Sequence, residues 1–108
     1  MTSIIKKFSP MTEASYYILL ALTHPLHGYG IIKKVEQMSG GRVKLAAGTL
    51  YGALNALVDN KIINPIGEDD ENKRRKLYRM TELGRDLIKY EIRRLQEMVR
   101  NGTREIGQ

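Results

Sequence analysis

The chain has no cysteine, no tryptophan and a single phenylalanine among its 108 residues. Without cysteine there is no disulfide framework, no thiol nucleophile and no thiolate ligand for zinc. That suits a reducing compartment, and the chain is expected in the cytoplasm. Serine and histidine are also scarce, four and two, and no motif joins them into a nucleophile, a base and an orienting group. The chain is therefore read as a non-enzyme. His24 and His27 flank Pro25 in a turn, with no carboxylate nearby in sequence, and read as turn or capping residues rather than metal ligands. "GGRVKLAAG" departs from the phosphate-loop pattern, so neither a cofactor nor a metal is expected. Long hydrophobic runs are missing too. "MTSIIKKFSP" lacks the apolar centre of a signal peptide. The charge-free stretch from Ala14 to Ile32 is broken by Pro25, Gly28 and Gly30, so it reads as two buried helices and a loop, with no membrane association.

What is present suits one small domain with one modest core. The net charge of +6 attracts polyanions, nucleic acid first. Ser9, Pro10, Thr12 and Glu13 open a helix that Pro25 closes. A second helix starts near Gly28, with Ile31, Val35 and Met38 inward, and stops at Ser39–Gly41. From Lys44 to Asn60 a third helix places Leu50, Leu54, Leu57 and Val58 on one face. "KIINPIGEDDENKRRKLYRM" reads as a hairpin with a charged tip and with Pro65 on an edge strand. "TELGRDLIKYEIRRLQEMVRNG" is a long helix with Thr81 as N-cap and Gly102 as its stop. The expected fold is mainly α with a small β-hairpin: a winged helix-turn-helix plus a long C-terminal helix. Its divisions are residues 1–10 as an N-terminal arm, 11–80 as the winged helix-turn-helix domain, and 81–108 as a C-terminal dimerisation helix with a short tail.

The third helix is odd on its outer side. Gly48, Thr49, Gly52, Asn55, Ala56 and Asp59 point away from its leucines, Tyr51 sits on the boundary, and no Lys or Arg occurs from Leu45 to Asn60. Exposed helical glycine costs about 1 kcal/mol against alanine. Either Gly48 only starts the helix and Gly52 relieves crowding inside the protein, or the bare face lets the helix approach another surface closely. In helix-turn-helix docking that surface is the major groove, with Thr49 near a phosphate and Asn55 able to bond adenine. Such a helix needs cations on its flanks, and Lys33, Lys34, Arg42, Lys44, Lys73, Arg74, Arg75, Lys76 and Arg79 supply them. The charge pattern favours the second alternative, with double-stranded DNA as partner. The rival is a winged-helix protein-interaction module with only non-specific DNA affinity.

"HGYGI", "GTLYGAL" and "RRKLYRMTELG", in this order, make the chain from Met11 to Val99 resemble the PadR family of bacterial winged-helix transcriptional regulators. The resemblance implies a homodimer held by the C-terminal helix, an inverted-repeat operator, and repression relieved by a small apolar or aromatic effector. It places Gly48, Thr49 and Tyr51 at the start of the recognition helix, where Thr49, Tyr51 and Asn55 are expected to read the groove over the bare Gly52, and the basic wing at Arg74, Arg75 and Lys76. Lacking tryptophan, the chain lacks the pair between which some relatives hold flat drugs, and it resembles the short subfamily with one C-terminal helix. Ile88, Ile92, Leu95 and Val99 form a coiled-coil-like seam on that helix, and with Met98 they are the expected dimerisation residues. Tyr16 and Tyr90 are the expected walls of an effector pocket.

Overall fold

The computed structural model describes residues 3–69 and 72–107, the side chains of residues 68–75 excepted. In chain order the elements are α1 (Ser3–Phe8), α2 (Glu13–Ala21), β1 (Leu26–His27), α3 (Gly28–Met38), α4 (Ala47–Asp59), β2 (Ile63–Asp69), β3 (Asn72–Met80) and α5 (Glu82–Ile106). This is the expected mainly helical winged fold, with its hairpin widened into a three-stranded antiparallel sheet of order β1-β3-β2.

Local chemistry sets most of the boundaries. Thr12 caps α2 by accepting from the Ser15 N–H, and His27 caps α3 through Nδ1, which accepts from the Gly30 N–H at 3.2 Å. Gly40 and Gly41, both left-handed, turn the chain out of α3. β2 lies on an edge of the sheet, where Pro65 lacks no ladder partner, and the register slips between Pro65 and Gly67. Thr81 caps α5, accepting from the Gly84 N–H at 3.1 Å while its hydroxyl donates to the Lys61 carbonyl at 2.7 Å.

The core is Ile18, Leu19 and Leu22 of the α2 region, Ile31 and Val35 of α3, Leu50, Leu54 and Leu57 of α4, Ile62 and Ile63, and Leu87 of α5. Gly84 lets α5 descend onto this layer. A β-carbon there would overlap the Ile62 carbonyl and come within 2.7 Å of Met80 Cγ. Among the described residues, no helix is long and apolar enough to cross a membrane.

Within the arm, residues 3–8 form a helix that buries Ile5. Two sequence expectations change. Gly102 does not stop α5, which continues to Ile106 and ends on left-handed Gly107. A glycine lowers helix preference without breaking it, and termination awaits a residue that takes up the left-handed cap. Ile88 is buried in the chain's own core rather than presented on a seam, because the first turns of α5 lie against the domain.

The arm is held by a group that sequence reading did not single out. Glu91 is fully buried, accepting from Ser9 Oγ at 2.6 Å, the Met11 N–H at 2.7 Å and Arg94 at 2.9 Å. Burial alone pushes its carboxyl up, but the bonds from Arg94, Ser9 and Met11 outweigh this and hold it below the ordinary glutamate value.

Candidate nucleic-acid interface

α4 turns Leu50, Leu54 and Leu57 into the core and leaves Gly48, Thr49, Gly52, Asn55, Ala56 and Asp59 exposed. The alternative in which Gly52 relieves internal crowding fails, since a β-carbon on either Gly48 or Gly52 would meet nothing within 4 Å. The face is bare although the fold leaves room for side chains.

The start of this helix is bare as well. α2, α3 and α5 each begin on a side-chain cap, whereas α4 begins on Ala46, which makes none. Ala46 therefore offers its first-turn N–H groups no side-chain acceptor, and they carry the positive end of the helix dipole. That arrangement favours an anion at Gly48 and Thr49.

Cations lie on the neighbouring elements. Lys33 and Lys34 are exposed on α3, Lys44 on the loop into α4, and Lys76 on β3. Lys73, Arg74 and Arg75 fall within the β3 strand, but their side chains lie outside the described residues. Arg42 is engaged within the chain, its guanidinium pairing with Glu13 and donating to the Ser39 carbonyl at 3.2 Å. Tyr51 is 46% exposed, yet its hydroxyl end rests against Gly28. Sequence reading passed over Tyr29, which is 57% exposed with the Lys33 ammonium 5.3 Å from its ring centre. Its setting between two glycines in "HGYGI" was the available signal.

The two expected effector residues differ in their surroundings. Tyr16 lines a cleft of about 250 Å³ between α2 and α5 with Met11, Tyr17, Arg94 and Leu95, while Tyr90 packs against the core and is not on its walls. Burial, with Tyr17 and Glu91 nearby, raises the Tyr16 phenol above its ordinary value. On α5, burial ends at Glu91, and Ile92, Leu95, Met98 and Val99 are exposed. Among the described residues, no group of three or more histidines and carboxylates could hold a metal.

Known proteins resemble this chain in sequence or in fold. An uncharacterized 37.1 kDa protein in transposon TN4556 of Streptomyces fradiae is 39% identical over 80 residues, which cover 73% of this chain. The chain spans about a fifth of that curated relative, 22% of its length. A PadR family transcription regulator from Clostridium difficile superposes with a TM-score of 0.69 at 19% identity, over 90% of this chain and 100% of that one. BpsR of Bordetella bronchiseptica, whose DNA binding is regulated by 6-hydroxynicotinic acid, superposes with a TM-score of 0.69 at 18% identity, over 92% of this chain and 68% of that one. At these identities the superpositions establish the fold. The sequence model of the transcriptional regulator PadR-like family matches residues 18–90, and the chain belongs to that family.

Proposed function

We propose that this regulator reads DNA as a homodimer, with α4 of each copy in the major groove of one half of an inverted repeat, and that its binding represses transcription. The observation that carries the reading is the outer face of α4, kept free of bulk and of cations where the fold has room for both. Thr49 and Asn55 face the bases. The N–H groups of the uncapped first turn, with Lys33, Lys34, Lys44 and the wing residues Lys73, Arg74, Arg75 and Lys76, hold phosphates. Two such units on one duplex make a small reader specific, since each contributes a half-site. The cleft beside Tyr16 has room for a small aromatic effector, whose binding would alter the placement of α5 against α2 and release the repressor.

Selection from a random duplex pool at physiological salt tests this reading. The expected result is enrichment of an inverted repeat, its half-sites a helical turn or a small multiple apart. Asn55→Ala should change which bases are enriched. Binding that only tracks salt, with no enrichment, would instead make the bare helix a protein-docking face.

A further inference from the structure

Gly28 opens α3 and is buried, and its backbone is not among the left-handed glycines of the chain. Conformation therefore does not require glycine here. The side chain of Tyr51 does. A β-carbon on Gly28 would overlap the Tyr51 hydroxyl and lie 2.9 Å from ring carbon Cζ, with Leu50 Cδ2 at 3.5 Å. Alanine would be the better helix former at this position, so α3 forgoes local helix preference to admit a ring from another helix.

The seat lies where three elements meet. Immediately before Gly28, Leu26 and His27 form β1, which pairs with Tyr78 and Leu77 of β3. Tyr78 is buried, and burial together with the neighbouring Tyr51 pushes its phenol up. Leu50, Leu54 and Leu57 fix how deep α4 sits, but aliphatic contacts are non-directional. A rigid ring braced against backbone is directional, and it joins the first turns of α4 to the start of α3.

We infer that Tyr51 is a positioning residue for DNA binding: seated on Gly28, its ring sets the angle between α3 and α4, and through it where Thr49 and Asn55 arrive in the groove. This rests on the DNA-reading function proposed above and changes the role that sequence reading gives Tyr51, from reading the groove to aiming the residues that do.

A double-mutant cycle on the full chain tests it, using Gly28→Ala, Tyr51→Leu and their combination. Fluorescence anisotropy would compare the duplex enriched by selection with a random-sequence duplex. Each single change should weaken binding to the enriched duplex by about tenfold, within the coupling expected of touching residues. The combination should be no worse than Tyr51→Leu alone, because without the ring the new methyl displaces nothing. Binding to the random duplex should change little, since phosphate attraction does not depend on the aim of α4. Tyr51→Phe keeps the ring and should bind nearly as the wild type does.

With 3-fluorotyrosine incorporated, Tyr51→Leu identifies one of the fluorine resonances. Gly28→Ala should shift that resonance in a chain that still melts cooperatively. Losses that multiply in the double variant, or a large loss in Tyr51→Phe, would mean that Tyr51 touches DNA itself and would overturn this role alone. A wild type that enriches no duplex would overturn the DNA-reading function, and this role with it.

Discussion

Four glycines show how differently one residue type is used in this molecule. Gly28 and Gly84 are buried where another element presses against the backbone, at Tyr51 and at the Ile62 carbonyl. Gly48 and Gly52 face open space on a helix they weaken. In the free protein, then, Gly52→Ala should stabilise the fold by about 1 kcal/mol, raising the melting temperature by several degrees. The same methyl would stand between α4 and the groove, so affinity for the enriched duplex should fall. Thermal unfolding and anisotropy on one preparation would check both. A stabilised Gly52→Ala with unchanged DNA affinity would mean that this face meets nothing.

Elements whose chemistry is local were legible in the sequence. Thr12 and Thr81 announced their helices, Leu50, Leu54 and Leu57 the inward face of α4, and Pro65 an edge strand. What was not legible depends on partners far along the chain. β1 exists only because Leu26 and His27 meet Tyr78 and Leu77. Nothing around Glu91 distinguishes it from the other acids of α5 until Ser9 and Met11 fold over it, and α1 is held by that meeting. The outer face of α4 was legible as bare, but only the open space around Gly52 separated the two explanations for it.

The attachment of α1 to α5 has a pH signature. Because the folded carboxyl of Glu91 is held below its ordinary value, its contribution to stability is fully present above that value, near 4.3, and is lost as pH falls through the folded one. Glu91→Gln should cost about 1–3 kcal/mol near neutral pH, since it removes the charged acceptor of Arg94. Its melting temperature should then fall less steeply than that of the wild type below about pH 4. Circular dichroism melts across that range measure the difference, and parallel curves would show that Glu91 does not carry the acid sensitivity.

At the scale of the whole molecule, α5 is longer than its own domain can cover. Its 25 residues span about 37 Å, and burial ends at Glu91 in the first half. Beyond it Ile92, Leu95, Met98 and Val99 remain in water, the last two 55% and 67% exposed. In the proposed homodimer a second copy would bring the matching stripe and bury both. In the proposed dimer, association would also have a cost, because two chains of charge +6 repel each other, and duplex DNA would remove that cost on binding. Leu95→Glu should leave the domain folded, because Leu95 lies outside the buried core, yet convert a dimer to a monomer in sedimentation. The monomer should keep its preference among half-sites while losing roughly 100-fold or more in affinity for the full repeat, since the second contact ceases to be intramolecular. A Leu95→Glu chain that still sediments as a dimer would place the interface elsewhere. One that is monomeric but binds the full repeat as tightly as the wild type would mean that a single α4 reads the site alone.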